Sequence, residues 1–440
     1  MNRRNFIQKS ALSVAGLGLA PLIGGSYQSI YGQTAPSNKI KVGLIGCRSQ
    51  GYSNLNTLLN YPEVECVALS DVDDEWLNKR AADVEKKTGK KVPNLYKDWR
   101  HVIDNKDVDV VIVGTPDHWH CLQTIYACEA GKDVYAEKPL SNSIEECDLM
   151  VKAARRYNRI VQVGQWQRSD PHWDEAAKFI RDGKIGRVRT VKVWAYQDGK
   201  PTLPVKPDEP IPAGVDYDMW LGPAPKRPFN PYRFHYNFRF FWDYAGGLMA
   251  DWGVHLLDYA LEGMGADLPD HVFASGGKFA YPDDAMETPD TLMVTYAYPE
   301  FNIIWDHACG INHGLYDKKE GLAFYGENGT LILTRAGWEV QPVVAGGGPR
   351  MEAVPFIKGE GKGLYNHMGN LISCMKSREL PKGDVAIGAR IAKMSHLANI
   401  SCRTGREVRW DDSRSLFIGD DKATQLAKAN YRAPWVLPRV

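Results

Sequence analysis

"KIKVGLIGCRSQG", residues 39–51, decides the fold of this chain. Six apolar or small residues in a row, too short for a helix core, read as a strand buried on both faces. The glycines that follow, Gly46 and Gly51, open a turn into the helical pattern "YSNLNTLLNYP" at 52–62. Strand, glycine turn and helix form the first half of a βαβ unit. In such a unit Gly46 permits the tight turn, Gly51 the close packing of helix on strand, and the helix N-terminus faces an anion such as a pyrophosphate. The second glycine of the GxGxxG pattern is replaced by Arg48. Its side chain must point away from the phosphates or lie beside them as a counter-charge.

Working outward, strands and helices alternate up to residue 165. "VECVALSD" (64–71) is a second strand that ends on Asp71, twenty residues after Gly51. "DEWLNKRAADVEKKTG" (74–89) is a helix and "VDVVIVGTP" (108–116) a third strand. A helix through 120–131, the strand "KDVYAEKP" (132–139), a helix at 143–158 and the strand "RIVQVGQ" (159–165) follow. Apolar strands linked by helices predict a parallel, doubly wound sheet, a Rossmann domain over 35–165. Asp71 would hold the ribose hydroxyls and repel a 2′-phosphate, which favours NAD over NADP. Arg48 is the residue that would favour NADP.

Beyond residue 165 the rhythm changes. A helix near 172–183 leads into strands at 187–197, 271–280, 291–299 and 302–310 and a hairpin at 321–333. Consecutive strands predict an α+β domain over 166–440 on a largely antiparallel open sheet, with late helices at 365–381 and 386–402 packing back on the body.

The N-terminus carries Arg3, Arg4, Phe6 and Lys9, then an apolar run from Ala11 to about Gly25 and the polar spacer "YGQTAPSNK". That order predicts a twin-arginine export leader with its spacer over 1–34, and a periplasmic protein with no lasting membrane insertion. The net charge of +1 gives no reason to expect nucleic acid as a partner. The eight cysteines have no metal-ligand spacing, so no metal is expected, and they read as thiols of a chain folded before export.

Chemistry concentrates at strand ends. "GTPDHWH" (114–120) and "AEKPL" (136–140) close the third and fourth strands, where open α/β sheets bind ligands. Lys138, between Glu137 and Pro139, is placed to polarise a substrate oxygen. In "GGLMADWGVHLLDYALEG" (246–263), Asp251, His255 and Asp258 share one helical face. From Tyr217 to Tyr244 the chain holds eleven aromatic residues in twenty-eight. Part of that stretch is expected to stack on a sugar ring, with Arg168, Tyr232, Arg239, Trp242 and Tyr244 as substrate contacts.

Taken together, these residues resemble the Gfo/Idh/MocA oxidoreductases from about Lys39 onward, most specifically in Glu137-Lys138-Pro139 and in Asp251-x-x-x-His255. The resemblance implies a catalytic group of Lys138, Asp251 and His255. It also implies a cofactor wall that includes Gly46, Arg48, Gly51, Asp71, Thr115, Pro116, His118, His120, Glu137, Lys138 and Gln165, and a C-terminal sheet that forms homo-oligomers. The expected activity is oxidation of a secondary hydroxyl of a sugar, glycoside or cyclitol with tightly held NAD. In that scheme His255 is the base, oriented by Asp251. Two alternatives stand beside it: a glycosidase that uses bound NAD for transient oxidation and elimination, and a non-catalytic sugar-binding protein.

Overall fold

In the computed structural model, which describes residues 39–200 and 202–440, the opening stretch forms the central strand of a six-stranded sheet. The leader expected over 1–34 lies outside the described residues. Strands β1 (Ile40–Ile45), β2 (Val64–Ser70), β3 (Asn94–Tyr96), β4 (Val110–Val113), β5 (Asp133–Ala136) and β6 (Val161–Val163) are all parallel, in the order β3-β2-β1-β4-β5-β6. The order reverses between β1 and β4, which opens a crevice beyond their carboxyl ends.

Helices α1 (Ser49–Leu58), α2 (Asp74–Thr88), α3 (Arg100–Asp104), α4 (Asp117–Glu129) and α5 (Ile144–Arg156) make the crossovers. Their ends follow capping chemistry. Asp73 accepts from the Glu75 N–H and Gly89 closes α2 in the left-handed region, while Ser143 accepts from the Glu146 N–H at the start of α5. Strand β3 and helix α3 were not legible in the sequence: three and five residues are too few to display a period.

The second half begins with α6 (Pro171–Arg181), β7 (Thr190–Gln197) and the short helices α7 (Tyr217–Leu221) and α8 (Gly247–Asp251). Next come α9 (Gly253–Met264), β8 (His271–Gly277), β9 (Thr291–Ala297) and β10 (Asn302–Cys309). The last sheet strands are β11 (Glu320–Tyr325), β12 (Gly329–Thr334), β13 (Gly337–Pro342) and β14 (Val354–Lys358). They form one eight-stranded sheet in the order β14-β13-β12-β11-β7-β10-β9-β8. Every pairing is antiparallel except β7 with β10, which the long connection between them allows to run parallel. The sheet's inner face packs on α6 and α9 through a core that includes the fully buried Trp173, Trp305 and Tyr296.

Two late helices join the halves. Helix α10 (Gly363–Ser377) gives Met368, Leu371 and Ile372 to the core that holds Leu55 and Leu58 of α1, so it covers one face of the first sheet. Helix α11 (Val385–Thr404) contributes Val385, Ala389 and Ala392 to the core over the opposite face, and Met394, Leu397 and Ile400 to the core of the second sheet. The C-terminal segment returns to the first domain, with Trp435 packed edge-on against Trp119 at 4.8 Å.

Candidate active site

A cleft of about 530 Å³ lies above the β1/β4 crevice and is walled on its far side by the second domain. Its floor is the glycine turn. Gly46 sits at φ +85°, and a Cβ on Gly51 would fall 2.1 Å from the Gly46 carbonyl oxygen, so that this crossing of turn and helix tolerates no side chain. Helix α1 starts directly behind it with Arg48 as N-cap and no side-chain cap, which leaves its first amides facing the cleft.

Asp71 stands at the end of β2. Its carboxylate accepts from the backbone N–H groups of Cys47 (2.7 Å) and Asp73 (3.0 Å), which ties the glycine turn to the β2 end. Burial pushes its pKa up to about 6, against the pull of those donors. Arg48 turns away from the turn and lies over Trp76, 4.9 Å from the ring centroid. Open amides at a helix N-terminus, a cradle closed to any Cβ and a carboxylate with spare lone pairs fit a dinucleotide, and these are the groups that would hold NAD.

The reactive end is built from three chain segments. Lys138, just after β5, donates to Asp251 Oδ1 at 2.5 Å and to the Asp251 carbonyl at 3.1 Å. Arg239 Nε lies 3.3 Å from the other Asp251 oxygen. Burial alone would raise the Asp251 pKa, but Lys138 and then Arg239 pull it below the ordinary carboxylate value. Glu137 supports Lys138 from beneath: it accepts from Asn54 Nδ2 at 2.7 Å and from the Lys138 N–H at 3.2 Å.

His255 is buried on the first turn of α9, and burial, followed by the charges of Lys138 and Arg335, holds its pKa well below the usual value. The imidazole is therefore neutral. Its Nδ1 bonds Gln167 Oε1 at 2.9 Å, which makes Nδ1 the protonated nitrogen and leaves Nε2 as the basic one.

Of the helical face expected at Asp251, His255 and Asp258, Asp251 and His255 both line the cleft and Asp258 is the correction. The helix is interrupted at Trp252, so Asp251 ends α8 and His255 lies on the first turn of α9. Gln167, not Asp251, makes the hydrogen bond that orients the imidazole. Asp258 leaves the cleft and forms a buried two-pronged pair with Arg168, at 2.7 and 2.5 Å.

That pairing also removes Arg168 from the substrate wall. Of the residues expected to contact substrate, only Arg239 lines the cleft. Tyr244 is fully buried, and Tyr232 packs with Tyr217, Trp220 and Phe229 in a separate aromatic core. The ring of Trp242 is taken by Arg403 at 4.8 Å. The reason is packing: most of the aromatic run supplies the core of a segment that otherwise has little regular structure.

On the cofactor wall, Gly46, Arg48, Asp71, Thr115, Pro116, Glu137 and Lys138 line the cleft, with Gly51 packed behind the turn. His118 and His120 do not line it. His118 Nε2 meets the Trp220 carbonyl at 3.0 Å, and both nitrogens of His120 meet carbonyls, of Pro139 and Thr115, at 2.8 Å. Gln165 is 1% exposed and does not line the cleft either.

Sequence reasoning missed Asp117, Trp166, Gln167, Trp252, His235 and Arg335. Asp117 stood inside the quoted "GTPDHWH", and Gln167 two residues past a strand end. Arg335 lies in a hairpin turn that carries no signal. Asp117 lines the cleft, and burial and the nearby Asp251 hold its pKa well above the carboxylate range. Among the described residues no cluster of metal-ligating side chains occurs, and no helix is long and apolar enough to cross a membrane.

Comparison with known proteins agrees with this architecture. The model of an oxidoreductase family with an NAD-binding Rossmann fold matches residues 40–165, and that of the same family's C-terminal alpha/beta domain matches residues 182–304. An uncharacterized oxidoreductase, YrbE of Bacillus subtilis, is 24% identical over 60% of this chain and 64% of its own length. A glycosyl hydrolase family 109 protein of Shewanella baltica is 30% identical over 36% of this chain and 37% of its own length. The chain thus spans from about a third to just under two thirds of these relatives. A levoglucosan dehydrogenase structure, in complex with NADH and levoglucosan, superposes with a TM-score of 0.63 over 84% of this chain and 99% of that one, at 20% identity.

Proposed function

Because the chain belongs to the Gfo/Idh/MocA family of oxidoreductases, we propose that it oxidises a secondary hydroxyl of a sugar, glycoside or cyclitol with NAD held in the cleft. The observation that carries this reading is the convergence of Lys138, Asp251 and neutral His255 in the same cleft as the glycine turn and Asp71. Bound NAD supplies the hydride acceptor. The chain supplies the proton chemistry. His255 Nε2 takes the hydroxyl proton, while Gln167 keeps Nδ1 protonated and the ring in place. The Lys138 ammonium, fixed on Asp251, stabilises the developing alkoxide, and the site places that charge before the substrate arrives. Asp251 holds the two cations and leaves the tautomer to Gln167.

Retention of the cofactor is part of the proposal. The chain around 214–240 is strapped onto the first domain beside the nucleotide end. Asp216 N–H donates to the Val72 carbonyl at 2.9 Å, Asp74 N–H to that of Gly214 at 3.2 Å, and His235 Nε2 meets Asp73 Oδ2 at 2.8 Å. A strap of this kind slows cofactor loss. Slow loss suits an enzyme loaded in the cytoplasm and exported folded through a twin-arginine leader at 1–34. Protein purified without added nucleotide should then carry close to one nicotinamide cofactor per chain, and Arg3→Lys with Arg4→Lys should keep it in the cytoplasm. Free exchange of NAD, or export that ignores the arginine pair, contradicts this part. The outer face of the second sheet, with Phe273 and Met293 about half exposed, supports homo-oligomerisation, which light scattering tests.

The experiment for the activity itself is a screen of free sugars, glycosides and cyclitols for keto products, with aglycone release followed in the same samples. A keto product with intact aglycone supports the proposal. The likeness to a family 109 glycosyl hydrolase protein favours one second reading, a redox-neutral glycosidase, for which aglycone would be released without net oxidation. Absence of turnover throughout would return the non-catalytic sugar-binding alternative.

A further inference from the structure

One charged side chain of the cleft is not used by this chemistry. Arg335, in the turn between β12 and β13, reaches the cleft wall from the second sheet. Its guanidinium lies over the indole of Trp252 at 4.5 Å and that of Trp166 at 5.3 Å from the ring centroids. The same two indoles flank the base: their centroids are 6.5 and 6.4 Å from that of His255. Thus the guanidinium, two aromatic planes and the basic imidazole share one corner of the cleft.

Among the described residues this guanidinium has no hydrogen-bonding partner, and its Nε is buried. The adjacent Glu320 accepts only from the Arg335 backbone N–H, at 3.5 Å, and its Oε2 is itself buried and unpartnered. Lys138 and Arg239 close on the carboxylate of Asp251, and Arg335 stands near them as a third cation that, among the described residues, makes no ion pair with either Glu320 or Asp251. A partly desolvated guanidinium with unused donors is costly until an anion meets it. Held against two rings, its planar fork matches the two oxygens of a carboxylate better than a lone hydroxyl.

We propose that Arg335 is a specificity-determining residue that binds the carboxylate of an acidic sugar, so that the substrate class is a hexuronoside and not a neutral hexoside. The assignment of the reacting hydroxyl rests on the oxidoreductase reading; the anion site does not. Trp166 and Trp252 clamp the guanidinium, and the bound carboxylate anchors the ring so that a secondary hydroxyl meets His255.

The test uses the full chain loaded with NAD and pairs of methyl hexuronosides and methyl hexosides that differ only at carbon 6. Binding is read by titration calorimetry and oxidation by keto product. The parent should bind the preferred uronoside at least about tenfold more tightly than its neutral partner, and Arg335→Gln should bring that ratio close to one. Arg335→Lys, which keeps the charge and loses the fork, should retain part of the preference, and melting curves of both variants report whether they fold. A parent without preference, a ratio that Arg335→Gln leaves intact, or no uronoside binding at all overturns the proposal. Uronoside binding that depends on Arg335 but yields no keto product leaves the anion site standing and removes the oxidoreductase reading. Oxidation of neutral hexosides with no preference for acids does the reverse.

Discussion

Lys138, Asp251 and His255 each have a partner that sets their state, and the partners are testable. Lys138→Met or His255→Ala should lower turnover by about a hundredfold or more, as loss of a positioned charge or base does. Gln167→Leu is the sharper case. It touches no reacting atom, yet it frees the imidazole to take the wrong tautomer, so kcat should fall about tenfold or more while KM changes little. Unchanged kcat would remove Gln167 from the mechanism. The pH profile follows from the same environment. Burial and the charges of Lys138 and Arg335 depress the His255 pKa, so the neutral base persists as pH falls through 6.5. The acid limb of kcat/KM should therefore lie below that value, and Arg335→Gln should shift it upward. Arg168 and Asp258 are assigned to stability by their buried pair. Arg168→Met leaves the Asp258 carboxylate buried without a counter-charge, so it should cost about 3 to 5 kcal/mol in denaturant unfolding without a selective rise in KM, whereas Asp258→Ala leaves Arg168 its contact with Glu262 at 3.4 Å and should cost less.

At the scale of elements, the glycine turn is the proposed floor of the cofactor site and the 214–240 strap the proposed brake on cofactor release. Gly51→Ala would drive a Cβ into the Gly46 carbonyl, so bound nicotinamide cofactor in the purified protein should be lost. His235→Ala removes one strap contact and leaves the floor intact. NAD should still bind, with a dissociation rate about tenfold faster, measured by exchange against labelled NAD. The turn was legible because a glycine pattern between strand and helix is local chemistry. The strap was not, since it closes through contacts such as His235 with Asp73 that are far apart in sequence. The same holds for the stretch 247–264. Its periodicity placed Asp251, His255 and Asp258 on one face, and the pull of the distant Arg168 takes Asp258 out of the cleft that the other two line.

Across the whole molecule, the doubly wound sheet and the run of later strands were readable from period and order, while the residues that join the halves were not. Helix α11 was readable as a late helix packing back on the body, but which of its residues serve which core was not. It is mostly buried because it serves two cores, and at Gly388 it crosses β6, where a Cβ would meet Val163 at 2.6 Å. Gly388→Val should overpack that crossing and lower stability by about 1 to 3 kcal/mol. Because β6 leads directly into Gln167, turnover of the folded fraction should also fall. Loss of stability with full turnover would show that the two halves are less tightly coupled than this packing implies. The proposed substrate wall was the least legible part, since Arg335, Trp166 and Trp252 come from three separate places in the chain and meet only in the folded cleft.

Hydride transfer by this chain is read from the passage of label from substrate carbon to cofactor. NAD-loaded protein is mixed with glycosides deuterated at each ring carbon in turn, and the bound nicotinamide is analysed by mass spectrometry after a single turnover. One position should deliver deuterium to the cofactor, with a ketone left at that carbon, and Lys138→Met or His255→Ala should slow the transfer by about a hundredfold or more. Cofactor that stays unlabelled and oxidised with every acidic and neutral glycoside, or label transfer that proceeds at the parent rate in both variants, would contradict this chemistry.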